Sequence, residues 1–103
     1  MVLYKLVKKP YVLTEECEEM LDEALMYISE DSPVQARIMR QQFTETCEMI
    51  QRMPRIGAAY EKGMRRMKLG KFRYYIYYRE TKAVIEILGI WHTSKGTGFN
   101  YEK

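Results

Sequence analysis

Residues 72–92 read FRYYIYYRETKAVIEILGIWH, and this stretch decides the fold. Strand-forming residues predominate, and a period of two is predicted to point Phe72, Tyr74, Ile76 and Tyr78 one way and Arg73, Tyr75, Tyr77 and Arg79 the other. Glu80, Thr81 and Lys82 interrupt the pattern and are few enough for a hairpin, so residues 72–79 and 83–92 are predicted to be antiparallel strands. The second strand is apolar on both faces, which favours a central position in a sheet. Its two faces are predicted to carry Val84, Leu88 and Ile90 on one side and Ala83, Ile85 and Ile87 on the other.

The preceding residues predict one more strand of this sheet and two helices before it. Residues 64–69 keep the period of two, and Gly70-Lys71 joins them to the next strand. Thr14 and Ser32 are each followed by apolar residues at helical spacing, so each is predicted to cap the start of a helix. The second helix is predicted to end near Met53, because the residue before Pro54 avoids the helical region. Residues 2–13 are rich in strand-forming side chains and are predicted to be a strand.

The predicted fold class is therefore α+β. An N-terminal strand precedes a helical hairpin, a three-stranded antiparallel meander follows, and the helices pack on one sheet. The 103 residues suffice for a single domain, residues 1–103. The tail, residues 93–103, contains two glycines and little periodicity and is predicted to be flexible.

Composition excludes several classes of protein. No apolar run approaches the ~18 residues of a membrane span, and no export signal is recognisable, so we expect a cytoplasmic protein without a membrane partner. Cys17 and Cys47 lie on apolar helical stripes, which predicts buried, reduced thiols. Neither a metal site nor a cofactor site is expected.

Charge is unevenly distributed along the chain. Residues 1–63 contain eight Lys/Arg and eleven Asp/Glu, whereas residues 64–103 contain nine Lys/Arg and three Asp/Glu. The second half therefore presents a basic field that attracts an anionic partner, such as nucleic acid or an acidic peptide. Our candidate partner-binding residues come from this half: Arg65, Arg66, Lys68, Arg73, Trp91, His92 and Lys95.

Over about residues 9–95, the chain resembles ParE-like toxins of the ParE/RelE superfamily. The resemblance lies in short segments that occur in the family's order, beginning with Leu13-Thr14-Glu15-Glu16 and Asp31-Ser32-Pro33. The later segments are residues 53–57, 64–67, 70–74, 76–79 and 85–92.

This resemblance implies the RelE/ParE-like fold and a growth-inhibiting toxin of a type II toxin–antitoxin system. Such a toxin is neutralised in a hetero-oligomer with its cognate antitoxin, whose acidic segment folds as it binds. The ParE branch acts by binding a protein, DNA gyrase. The RelE branch cleaves mRNA in the ribosome.

Whether the chain is an enzyme stays open, and a non-enzymatic toxin is favoured. A metal-independent endoribonuclease would need an acid, a base and cations that stabilise the charged transition state. Here those would be His92 with Arg65, Arg73 and Arg79. Ribonuclease members usually carry an arginine three residues before the strand tyrosine, and Tyr75 occupies that position. A third reading is a binding module that has lost toxicity.

Overall fold

The computed structural model describes residues 9–95 and 98–101, which form two helices packed on one sheet. The sheet has five strands in the order β1-β5-β4-β3-β2. The elements are β1 (Tyr11–Leu13), α1 (Glu15–Asp31), α2 (Pro33–Arg52), β2 (Ala58–Ala59), a 3₁₀ turn (Glu61–Gly63), β3 (Arg65–Lys68), β4 (Tyr74–Glu80) and β5 (Ile85–His92).

Side-chain caps fix both helix starts where the sequence predicts them. The Thr14 hydroxyl accepts a hydrogen bond from the Cys17 amide at 3.1 Å, and the Ser32 hydroxyl accepts one from the Gln35 amide at 3.2 Å. Each cap satisfies an amide that the first helical turn leaves without a backbone partner. The helix α2 ends at Arg52, with Met53 as its C-cap. The predicted helical hairpin is therefore confirmed.

The predicted antiparallel meander is present as β3, β4 and β5, but the sheet is larger than expected. The strand β1 pairs in parallel with β5, and β2 pairs with β3 at the opposite edge. The sequence predicts no helix or strand in residues 54–63. Two residues are too few to show a period, so β2 had no signature in the sequence. The part of the first predicted strand at residues 2–8 lies outside the described residues.

A bulge in β5 corrects the predicted faces of that strand. Tyr77 pairs with Gly89 and Tyr78 pairs with Ile87, so Leu88 is an extra residue between them. Ile90 therefore joins Ile87 on the helix-facing side, whereas Leu88 lies in the cluster on the other side. Our assignment of Leu88 and Ile90 to one face was wrong, because strict alternation cannot anticipate an inserted residue.

The side chain of Tyr78 connects the sheet to the loop after α2. It is fully buried, and its hydroxyl donates to the Pro54 carbonyl at 2.8 Å and accepts from the Gly57 amide at 2.9 Å. Burial raises the pKa of this hydroxyl, which keeps it protonated and able to donate. A Cβ atom at Gly57 would lie 2.6 Å from the hydroxyl and 2.8 Å from the Arg66 carbonyl. Only glycine permits this close approach.

Replacement of Tyr78 by Phe is expected to lower the free energy of unfolding by about 2 kcal/mol, because the buried Gly57 amide loses its partner. Urea unfolding would measure the change. The matched control is Tyr27→Phe, since Tyr27 is 70% exposed and its hydroxyl should contribute within about 0.5 kcal/mol. Equal stability of the two variants would contradict the proposed role of Tyr78.

The two cysteines are free thiols in the core between the helices and the sheet, as predicted. Burial is the main cause that raises the pKa of Cys17 and of Cys47 from 9.0 to about 12. Between these values the unfolded chain loses protons that the folded chain keeps, so ionisation favours unfolding.

The thiols should therefore make the protein lose stability as the pH rises above about 9, and contribute no such loss below it. Urea unfolding at about pH 8 and about pH 10.5 would measure this dependence. The double variant Cys17→Ala, Cys47→Ala is the control, because it retains the tyrosines and lysines that also titrate there. An identical loss in both proteins would show that the thiols do not contribute.

The helices in the described part of the chain are too short or too polar to cross a membrane.

Candidate functional site

The sheet face turned away from the helices, here called the back face, is covered by aromatic side chains. Its buried cluster consists of Met64, Tyr77, Leu88 and Phe99. Tyr75 and Trp91 lie beside it on neighbouring strands, where they pair directly across β4 and β5. Alternation along β4 explains this placement, because Tyr74, Ile76 and Tyr78 face the helices instead.

Phe99 closes the centre of the back face. Only 2% of its surface is exposed, and its ring stacks on that of Tyr77 with centroids 4.6 Å apart. The Tyr60 hydroxyl donates to the Phe99 carbonyl at 3.1 Å. Gly89 leaves room for the ring, since a Cβ there would lie 2.6 Å from it. Sequence periodicity did not anticipate this packing of Phe99. The flexibility of residues 93–103 stays a prediction.

Arg66 projects from β3 onto the back face between two tyrosine rings. Its guanidinium carbon lies 4.4 Å from the Tyr75 ring centroid and 5.4 Å from that of Tyr60. Its Nη1 donates to the Tyr77 hydroxyl at 3.4 Å. That hydrogen bond is the main reason why the pKa of Arg66 is raised above its ordinary value. Such cation–π contacts orient the guanidinium while leaving its charge intact.

The end of β5 brings three further predicted residues together. The Lys95 ammonium lies 4.4 Å from the Trp91 ring centroid, and the Tyr74 and His92 rings meet edge to face at 5.0 Å. The Ser94 amide donates to His92 Nδ1 at 3.1 Å, and the Ser94 hydroxyl lies 2.6 Å from the same nitrogen. Since Nδ1 accepts, the neutral ring carries its proton on Nε2, which can donate to a ligand.

Two cavities meet at this end of the sheet. A groove of about 620 Å³ lies between α1 and β5, with Tyr27, Tyr74 and Lys95 in its wall. A smaller cavity of about 110 Å³ lies on the back face, with Arg66 and Tyr75 in its wall. Both cavities are lined by Trp91, His92 and Lys95. We call the residues of the smaller cavity the β5-end site, which consists of Arg66, Tyr75, Tyr77, Trp91, His92, Thr93, Lys95 and Gly98.

The other predicted site residues lie elsewhere. Arg65 donates to the Gly57 carbonyl at 2.8 Å, where it holds the loop after α2. Arg79 forms an ion pair with Glu86 at 2.8 Å. Lys68 is exposed and donates to the Gly70 carbonyl at 3.4 Å. Arg73 is exposed just before β4 and lines neither cavity. Of the set considered for RNA cleavage, only His92 belongs to the β5-end site.

Sequence reasoning missed two residues that shape this surface. Tyr60 lies between the second predicted helix and the next predicted strand, and Phe99 lies in the predicted tail. The even spacing of Tyr75 and Tyr77 was the available signal for the back face. No pattern in the sequence linked Tyr60 or Phe99 to it, because their contacts depend on tertiary packing.

The family of ParE toxins of the type II toxin–antitoxin system parDE matches residues 11–96. The chain belongs to this family. Its fold is similar to that of a chain from the "Chromosomal ParDE TA system from P. aeruginosa", with a TM-score of 0.71 and 21% identity. That similarity covers 84% of this toxin and 97% of the other chain. No match is found among the curated proteins. The predicted family and the predicted ParE-like fold are thus confirmed.

Replacement of Phe99 by Ala in this ParE family toxin is expected to expose the ring of Trp91, whose centroid lies 6.0 Å from that of Phe99. Trp91 is the sole tryptophan of the chain, so its emission reports this change directly. We expect a shift to longer wavelength and faster protease cleavage near residue 99. Phe72→Ala is the matched control, since Phe72 packs on the helix-facing core. Unaltered emission and cleavage in the Phe99 variant would show that the segment does not cover the back face.

Proposed function

We propose that this toxin inhibits growth without catalysis, by binding a protein target, and that DNA gyrase is the target. Membership of the ParE family supports the toxin assignment. The observation that carries the non-enzymatic mechanism is that two of the three candidate catalytic arginines are used within the fold. Arg65 holds the Gly57 carbonyl and Arg79 is paired with Glu86, so neither is directed at His92.

The cognate antitoxin is proposed to neutralise the toxin in the cytoplasm by covering the β5-end site. Arg66 and Lys95 supply positive charge there, and the adjoining groove continues round the end of β5 towards α1. An extended segment could therefore follow both cavities past Trp91, His92 and Lys95, with its acidic side chains at the smaller cavity, because Glu23 in the wall of the groove would repel them there. A segment that orders as it binds can wrap such a surface, and its charge favours fast association.

A ribosome-dependent mRNA endoribonuclease is the second candidate. The observation in its favour is that His92, Arg66 and Lys95 line one cavity. The imidazole could act as acid or base, and the two cations could stabilise charge on a phosphate without a metal ion. Arg66 and Lys95 would then take the role that the sequence suggested for Arg65, Arg73 and Arg79.

Expression of the chain alone is expected to cause filamentation and gyrase-dependent DNA damage, because unopposed toxin would bind gyrase. Purified toxin should inhibit gyrase supercoiling and leave translation in a purified ribosome system unaffected. Translation arrest with intact supercoiling would contradict the gyrase proposal.

The variant His92→Gln separates the two mechanisms. It removes the imidazole while keeping a polar side chain. If His92 is catalytic, the variant should lose mRNA cleavage. If it is not, gyrase inhibition should remain measurable. Cleavage that persists in this variant would exclude the ribonuclease mechanism through His92. Harmless expression of the parent chain without antitoxin would favour a binding module that has lost toxicity.

A further inference from the structure

We propose that the small cavity of the β5-end site binds a single carboxylate group, supplied by an acidic side chain of a partner protein. Arg66 and Lys95 are its two cationic contacts. The identification of that partner as the antitoxin rests on the proposed function, whereas the carboxylate site itself rests on the geometry of this chain.

The first argument is uncompensated charge. Lys9, Arg40 and Arg79 each lie within 4.0 Å of a carboxylate oxygen. Within residues 9–95 and 98–101, no carboxylate oxygen lies within that distance of Arg66 or Lys95. The neighbours that interact electrostatically with Arg66 are the hydroxyls of tyrosines 60, 75 and 77. An anion entering the cavity would therefore meet two positive charges without displacing a carboxylate of the described residues.

The second argument is the fixed orientation of the guanidinium. The rings of Tyr60 and Tyr75 lie 5.4 Å and 4.4 Å from its central carbon and restrict its movement, and Tyr77 accepts a hydrogen bond from one of its five N–H donors. The remaining donors form a planar fork that matches the two oxygens of a carboxylate. Because the aromatic rings already restrict the side chain, binding should cost less rotamer entropy than at a mobile surface arginine.

The third argument is the size of the cavity. Its volume of about 110 Å³ exceeds the ~30 Å³ that a water molecule occupies in the liquid. Pockets that enclose a whole small molecule measure roughly 300–1,000 Å³. A carboxylate head fits this space, whereas a base with its sugar does not.

The two cations in the cavity wall favour one acidic side chain over a nucleic-acid backbone. A nucleic-acid groove presents a series of cations that follows successive phosphates. Here Arg79 lies on the back face over the Tyr101 ring, but Glu86 neutralises it. Lys68 pairs with Tyr75 on this face but lies outside the cavity, so the cations of the cavity wall are Arg66 and Lys95, which suit one anionic group.

The decisive experiment titrates the purified full chain with the blocked tripeptide acetyl-Ala-Glu-Ala-amide and follows Trp91 emission. Total ionic strength is held constant with sodium chloride, because exposed charges respond to salt. We expect a saturable change with the Glu peptide and none with the matched Gln peptide. Arg66→Gln should raise the apparent dissociation constant at least about tenfold, and Lys95→Gln about threefold.

The control Arg37→Gln makes the same chemical change at an exposed position on α2, far along the chain from this site, and should leave binding within about twofold of the parent. Lys95 is exposed, so its variant keeps the test valid even if the Arg66 variant fails to fold. No saturable response to the Glu peptide would overturn the proposal. Saturation by inorganic phosphate at a tenfold lower concentration would also overturn it, in favour of a phosphate ligand.

This titration uses neither gyrase nor antitoxin, so its outcome is separate from that of the toxicity experiments. Carboxylate binding by a harmless chain would contradict the proposed function and leave the site established. Toxicity without carboxylate binding would contradict the site alone.

Discussion

The hydroxyl of Tyr78 fixes the arrangement on which the rest of the surface depends. Its hydrogen bonds to the Pro54 carbonyl and the Gly57 amide tie the end of the helical hairpin to the middle of the sheet. With the loop held there, Ala58 and Ala59 pair with β3 and the chain continues into Tyr60. Tyr60 in turn lies against the guanidinium of Arg66. A buried phenol therefore determines the surroundings of an arginine on the opposite face of the sheet.

The two faces of the sheet have different coverings, and this difference produces the site. On one face, α1 and α2 bury an aliphatic cluster that includes Ile85 and Ile87. On the other face, the described covering is small, with Phe99 at its centre and Tyr60 and Tyr101 beside it. It leaves part of the face open, so Trp91 and Arg66 remain partly exposed. Because of the bulge in β5, Leu88 lies in the cluster with Phe99, whereas Ile87 lies in the cluster under the helices.

The arginines of the basic half are not equivalent, although their spacing in the sequence suggests that they are. Arg65 satisfies a backbone carbonyl and Arg79 satisfies a carboxylate, so both stabilise the fold. Arg66, in contrast, lies against the rings of Tyr60 and Tyr75 and donates a hydrogen bond to the hydroxyl of Tyr77. Within the described residues, no carboxylate lies within 4.0 Å of its charge. The family assignment and this distribution of charge together support a toxin that works through binding.

The sequence by itself determined the helical hairpin, the antiparallel meander and the family. Those features depend on local physics: Thr14 and Ser32 cap the amides that follow them, and the strands repeat every two residues. Only the tertiary structure decided which cations line one cavity, that β1 pairs with β5, and that Phe99 closes the back face. Those outcomes depend on contacts between residues far apart in the chain, and a one-residue bulge is enough to reverse the face to which a side chain points.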